Sequence, residues 1–183
     1  MPRIAPIDAA KSDAGVQATL SAVKAKIGMV PNLFSTFARS PAVLNGYLAL
    51  SDALGAGALT TKQREIVALA VGQVNECHYC LSAHTLMGKG AGLSPEAIRE
   101  AREGKAGDVT DNAVALFARR VVQTRGQVSD ADLAAARSAG LDDARIVEVI
   151  AGVAINVLTN YTNNVALTDI DFPKVDVALR AAT

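Results

Sequence analysis

The chain has 183 residues, 50% of them hydrophobic and only 4% aromatic, which suits a single all-α domain over residues 1–183 better than a strand-rich fold. Its 18 basic and 18 acidic residues cancel, and because no stretch gathers positive charge, we do not expect a nucleic-acid partner. The first twenty residues lack a continuous apolar segment and no later run approaches eighteen uninterrupted apolar residues, so we predict neither export nor membrane spanning and expect a cytoplasmic protein.

Helix caps recur along the chain, with Ser, Thr or Asp before an apolar-periodic run and Gly after it. In the N-terminal part they predict helices over 12–28, shortly after Pro31, and from 40 to the glycines at 55–57. Thr60 and Gln63 have capping-box spacing at the start of the next helix, whose apolar residues surround much of its circumference. This fourth helix is therefore expected to lie at the centre of the fold.

Five more helices are predicted in the rest of the chain. The first begins around Cys77 and ends at the glycines between 88 and 92, and the second opens at Ser94 and stops at Gly104. The others span 110–126, 129–140 and 142–167. No segment shows the period-two alternation of a strand, and the tail around 171–173 is irregular. The prediction is thus an all-α helical bundle.

The same spacing between three polar or cysteine residues occurs in two segments of the chain. Glu65, Cys77 and Cys80 are separated by the same intervals as three residues of the last predicted helix, which are Glu148, Asn160 and Asn163. The chain could therefore consist of two related halves, although two Ala- and Val-rich helices can also align by chance.

Cys77 and Cys80 are the only cysteines, and a pair so close in sequence cannot close a loop large enough to stabilise a secreted fold. On a helix, about 100° per residue places Cys77, Cys80 and His84 within an arc of roughly 60°. The start of a helix stabilises a thiolate. A thiolate can attack a peroxide to give a sulfenic acid, which a second thiol converts to a disulfide. The pair therefore indicates redox chemistry.

Proton transfer to and from these thiols requires a group that titrates near neutrality, and His84 meets that need. Glu65 lies in a helix that is otherwise rich in apolar residues, where an unpaired carboxylate would be costly to bury. We therefore predict that Glu65 is hydrogen-bonded beside the thiols and the imidazole.

The four residues Glu65, Cys77, Cys80 and His84, spaced E-x11-C-x2-C-x3-H, resemble the signature of AhpD-like alkylhydroperoxidases within the carboxymuconolactone decarboxylase-like superfamily. The resemblance is closest over residues 59–104. It implies an AhpD-like helical fold and a homo-oligomer, commonly a trimer or hexamer, that reduces organic hydroperoxides in antioxidant defence.

The resemblance also implies roles for individual residues. Cys80 would be the peroxidatic cysteine and Cys77 the resolving one, while Glu65 and His84 would relay protons. No cofactor, metal or haem would be needed, and a dithiol such as a lipoyl-bearing protein would reduce the disulfide. One founding branch has histidine where this chain has Tyr79, and His78 is shifted by one position, so Tyr79 and His78 are candidates for a hydrogen bond or a proton relay.

Several other interpretations stay open on the sequence. The two cysteines with His84 and His78 could be zinc ligands, although His78 points about 100° away from Cys77 on a helix. A carboxymuconolactone decarboxylase-like lyase would not need the dithiol. A redox sensor or a general thiol-disulfide oxidoreductase would use the same disulfide without peroxidase turnover. Six aromatic or leucine side chains could wall a substrate cavity or simply fill the core, and these are Phe34, Phe37, Tyr47, Leu48, Phe117 and Tyr161.

Overall fold

Nine α-helices and one short 3₁₀ helix form the regular structure of residues 1–179, which are the residues that the computed structural model describes, and no strand occurs among them. The 3₁₀ helix is Ala9–Lys11, and the α-helices are α1 (Ala14–Ile27), α2 (Asn32–Phe37), α3 (Pro41–Gly55), α4 (Thr61–Val74), α5 (His78–Gly90), α6 (Pro95–Arg102), α7 (Val109–Thr124), α8 (Asp130–Ser138) and α9 (Asp143–Ala166). The predicted all-α class is confirmed.

Polar caps begin the helices close to the predicted positions. Thr60 and Gln63 form the predicted capping box at α4. Two starts differ slightly from the prediction. Asp13 caps α1 because its carboxylate accepts from the Val16 N–H, whereas the Ser12 hydroxyl donates to Ala9 at the end of the 3₁₀ helix. Similarly, α7 begins one residue early because Asp108 caps it.

Helix α4 lies at the centre, as predicted, and packs against α5, α6, α7 and α9. Leu69 of α4, Val114 of α7 and Val149 of α9 are fully buried in the main hydrophobic core around it. A second, smaller cluster lies where α1, α2 and α3 meet the start of α5, and it includes Leu20, Phe37, Leu44, Cys77, Tyr79 and Cys80. The two cysteines therefore lie between the N-terminal helices and the main core.

Helix α9 is long and apolar enough to cross a membrane by length and composition. In the fold it packs against α4, α7, α3 and α5, and its buried face carries Asn156, Asn160 and Asn163. These polar side chains face protein groups, as in a core helix of a folded domain.

The connection between α3 and α4 depends on Glu148 of α9, whose two carboxylate oxygens accept from the Ala58 and Leu59 N–H groups at 2.8 and 2.9 Å. A Cβ atom at Gly57 would lie 2.6 Å from that carboxylate. We expect Gly57→Ala to lower the free energy of unfolding by about 1–3 kcal/mol, because the carboxylate must leave its two donors.

Gly46→Ala is the matched control, since Gly46 lies in the interior of α3 with no atom within 4 Å of an added Cβ. Alanine there should raise the free energy of unfolding by about 0.5–1 kcal/mol through helix propensity. Urea unfolding measures both variants, and a Gly57→Ala protein as stable as the parent would show that this carboxylate contact contributes little.

Candidate active site

Cys77 and Cys80 are joined as a disulfide at the start of α5, with their Cα atoms 5.3 Å apart. Cys77 is the N-cap residue, and its sulfur accepts from the Cys80 N–H at 3.2 Å. The preceding residue, Glu76, is exposed and has a φ of 51°, so the chain reverses between α4 and α5. Both sulfurs therefore lie in the first turn of a helix, where backbone N–H groups and the helix dipole favour a thiolate.

Asparagines of α9 hold this reversal in place. The Asn75 side chain donates to Asn160 Oδ1 at 2.9 Å, and the Asn164 side chain donates to the Asn75 carbonyl at 2.8 Å. Asn163 Nδ2 lies 3.4 Å from the Cys80 sulfur and donates to it. These three α9 asparagines thus bond to groups inside the chain.

The Cys80 cavity, a mostly hydrophobic space of about 410 Å³, distinguishes the two cysteines. Cys80 and His84 line it, whereas Cys77 is fully buried and does not line it. Its other walls come from α1, α2, α3 and the C-terminal tail, and they include Ile27, Leu33, Phe34, Tyr47, Leu48 and Phe172. A small molecule in this space would therefore lie beside Cys80, whereas Cys77 does not face the cavity.

His84 and Glu65 form the predicted pair. The His84 Nδ1 atom lies 2.9 Å from Glu65 Oε2, with both side chains largely buried. An ionised carboxylate can only accept, so Nδ1 is the donor in this contact. His84 lines the Cys80 cavity and also a second space of about 200 Å³, the Glu65 cavity, which Glu65 and Glu148 line. The imidazole therefore contacts the Glu65 carboxylate and lines the same cavity as Cys80.

Residues 41–124 match the carboxymuconolactone decarboxylase family. The chain also superposes on the AhpD core of an uncharacterized peroxidase-related protein from Ralstonia eutropha JMP134, with a TM-score of 0.84 and 27% identity over 93% of this chain and 92% of that one. The chain is thus similar to the carboxymuconolactone decarboxylase family over residues 41–124, and it has an AhpD-like fold over most of its length. The resemblance that its cysteine motif suggested is confirmed.

Two further structures share the AhpD-like fold. An uncharacterized peroxidase-related protein from Silicibacter sp. TM1040 has a TM-score of 0.79 and 23% identity, with 91% of each chain covered. The debrominase Bmp8 has a TM-score of 0.77 and 16% identity over 92% of this chain and 91% of its own. At these identities the likeness concerns the fold alone. No protein of curated function matches the sequence.

The two candidate relay residues occupy different places in this AhpD-like protein. The Tyr79 hydroxyl accepts from the Leu33 N–H at 3.2 Å, and its ring packs edge-on against Phe172. Tyr79 thus makes a hydrogen bond, but to the start of α2. His78 is exposed and does not line the Cys80 cavity. The geometry supports a positioning role for Tyr79 and gives no support to a relay through His78.

The structure separates the six residues suggested as cavity walls. Phe34, Tyr47 and Leu48 line the Cys80 cavity and also pack against the second hydrophobic cluster, so both alternatives hold for them. Phe37 and Phe117 are buried in the two hydrophobic clusters, and Tyr161 is exposed on α9. Apart from the matching position of Asn163 in the repeated spacing, no sequence pattern predicted its contact with the Cys80 sulfur.

Two tyrosines near the site have raised pKa values. Burial and, to a smaller extent, the Glu65 carboxylate raise the pKa of Tyr47 to about 12, against a hydrogen bond with Ser51. Burial and the neighbouring Asp171 carboxylate raise the pKa of Tyr79 well above its ordinary value. Folding therefore keeps both phenols protonated at a pH where an unfolded chain ionises them.

Stability should fall as the pH rises above about 10, since the unfolded chain then releases protons that the folded chain retains. We expect the protein at pH 11 to show less phenolate absorbance at 295 nm than the same protein unfolded in urea. Tyr47→Phe should reduce this difference and flatten the loss of stability between pH 10 and 12. Equal phenolate absorbance in the folded and unfolded protein would contradict the assignment.

Proposed function

We propose that this chain is a thiol-dependent peroxidase that reduces organic hydroperoxides through a cycle of Cys77 and Cys80. The observation that carries the proposal is the position of Cys80, which lines a hydrophobic cavity of about 410 Å³ together with His84. A hydrophobic cavity favours a peroxide with an alkyl or aryl group over hydrogen peroxide, because burial of apolar surface stabilises the bound substrate. Cys80 is therefore assigned as the peroxidatic cysteine.

The first step joins Cys80 to one peroxide oxygen. The Cys80 thiolate attacks, a sulfur–oxygen bond forms, the O–O bond breaks, and the alkoxide takes a proton to leave as the alcohol. His84 moves this proton, and Glu65 orients the imidazole through its 2.9 Å contact. Cys80 is left as a sulfenic acid.

The second step uses Cys77. Its sulfur attacks the Cys80 sulfur, the disulfide forms, and the sulfenic hydroxyl leaves as water after taking the Cys77 proton. Two thiols and one hydroperoxide thus yield one disulfide, one alcohol and one water. The short Cα separation of 5.3 Å allows this closure with little movement of the chain.

The reductant is proposed to be a dithiol on a slender arm, such as a lipoyl-bearing protein. Cys77 is fully buried and Cys80 is only 3% exposed, so the thiol that reduces the disulfide must enter the Cys80 cavity. One thiolate of the arm attacks Cys80 and releases Cys77, and the second thiol of the arm then displaces Cys80. Such a cycle requires a reducing compartment, in keeping with a cytoplasmic location and a role in antioxidant defence.

Stopped-flow oxidation of the reduced protein tests this function. Cumene hydroperoxide should oxidise it at least about tenfold faster than hydrogen peroxide, and dihydrolipoamide should support repeated turnover. Rapid oxidation without turnover on any dithiol would favour a redox sensor instead. Oxidation by a protein disulfide alone would favour a general thiol-disulfide oxidoreductase. Decarboxylase activity that survives replacement of both cysteines would favour a lyase.

We also propose that the chain forms a homo-oligomer, a trimer or hexamer, through α9. An apolar stripe with the spacing of a helix-packing seam runs along its solvent face for about 27 Å. The stripe consists of Val147, Ile150, Ala154, Leu158, Tyr161 and Val165. Light scattering should give a multiple of 18.9 kDa, which Leu158→Glu reduces and the control Val43→Glu on α3 does not. A monomeric parent protein would contradict the proposal.

A further inference from the structure

The carboxamide of Asn163 is the α9 group that contacts the proposed peroxidatic sulfur. Its Nδ2 atom donates to Cys80 Sγ at 3.4 Å, and the residue is only 4% exposed. Helix α9 runs unbroken past this point and packs against both α4 and α5, so the amide is held in place from the opposite side of the core.

Asn163 is hydrogen-bonded differently from its neighbours. Asn160 and Asn164 bond to Asn75 and so support the turn before Cys77. The Asn163 oxygen Oδ1, by contrast, is buried, and among residues 1–179 it has no hydrogen-bond partner. Burying an unsatisfied amide oxygen is unfavourable, and a side chain needed only for packing would not have to carry one.

A disulfide sulfur accepts hydrogen bonds weakly, whereas a thiolate carries a full charge and accepts them strongly. The contact to Asn163 is therefore worth more when Cys80 is reduced and ionised than in the disulfide. We propose that Asn163 stabilises the Cys80 thiolate by donating a hydrogen bond from Nδ2, and so sets the fraction of reactive sulfur at neutral pH.

Other groups around Cys80 titrate, and the test must separate them from Asn163. The groups that line the cavity are Lys26 on α1, Tyr47 and Asp52 on α3, and Tyr79 and His84 on α5, with Glu65 on α4 paired to His84. Asp171 of the tail lies beside Tyr79. Asn163 carries no charge, so its replacement by an apolar residue of similar volume removes the donor and leaves all of these charges in place.

The experiment titrates a single thiol. In a Cys77→Ser background, thiolate absorbance at 240 nm is followed against pH, together with the rate of alkylation by iodoacetamide. Asn163→Leu should raise the midpoint of both curves by about one to two pH units, the value of one hydrogen bond to a charged group. At pH 7 the alkylation rate should fall by about ten- to a hundredfold if the thiol then titrates well above 7.

Asn164→Ala is the matched control, because it removes a hydrogen bond to the turn before Cys77 without touching the sulfur. It should leave the midpoint within about 0.3 pH units of the parent, since no donor to the thiolate is lost. If Asn163→Leu does not fold, Asn163→Asp is the second variant, because it retains the shape of the side chain and lacks the N–H donor. Its added negative charge should raise the midpoint above the value expected for Asn163→Leu. An unchanged midpoint in a folded Asn163 variant overturns the proposal.

The inference rests on the proposed function only in assigning Cys80 as the attacking sulfur. The titration needs neither peroxide nor reductant, so the two ideas can fail separately. A raised midpoint in the Asn163 variant, with no peroxidase turnover by the parent protein, would support the role of Asn163 and contradict the proposed activity. Peroxidase turnover by the parent protein, with an unchanged midpoint in the Asn163 variant, would support the proposed activity and contradict the role of Asn163.

Discussion

Cys80→Ser is expected to abolish peroxidase turnover, with kcat/KM for an alkyl hydroperoxide reduced by about a thousandfold or more, because a serine hydroxyl is not ionised at neutral pH. The cavity should remain, since oxygen replaces sulfur at a buried position that Asn163 contacts. Consumption of peroxide under steady-state conditions with a dithiol measures the effect.

Cys77→Ser is the matched comparison, because it removes the other sulfur of the same disulfide. It should retain the first oxidation and lose repeated turnover, since the Cys80 sulfenic acid then has no thiol to close on. Full turnover by Cys80→Ser would show that Cys80 is not the attacking sulfur. Full turnover by Cys77→Ser would remove its resolving role.

Glu65→Gln and His84→Gln are each expected to lower kcat/KM by about a hundred- to ten-thousandfold, the range for loss of a general acid–base group. The two side chains act through one 2.9 Å contact. The double variant should therefore be little worse than either single variant, because residues that act as a unit are not additive.

Glu148→Gln is the control for Glu65. Glu148 also lines the Glu65 cavity, but its carboxylate binds the Ala58 and Leu59 N–H groups rather than the imidazole. Its replacement should lower stability and change kcat/KM by less than about threefold. Multiplicative losses in the Glu65 and His84 double variant, or equal losses in Glu148→Gln, would contradict a specific relay.

Local chemistry explains why much of this fold could be predicted from the sequence. Side-chain caps such as Thr60 and Asp142 satisfy the first N–H groups of a helix within three residues, so the signal and the structure are close together in the chain. The CxxC pair and His84 were likewise predicted to share one face because they lie within two turns of α5.

The remaining features depend on packing between distant segments. That Cys80 lines a cavity and Cys77 does not follows from where α1, α2, α3 and the tail meet α5. The Asn163 contact joins residues 83 positions apart, and the Tyr79 hydroxyl reaches Leu33 across 46. Neither helix periodicity nor capping residues carry information about such contacts.

The most direct test of the account is to find which sulfur a peroxide oxidises first. The reduced protein is mixed with one equivalent of cumene hydroperoxide, quenched within milliseconds in the presence of a sulfenic acid trap, and analysed by peptide mass. We predict that the trap labels Cys80 before the Cys77–Cys80 disulfide accumulates. Labelling of Cys77 first, or reduced thiols that survive the peroxide unchanged, would contradict it.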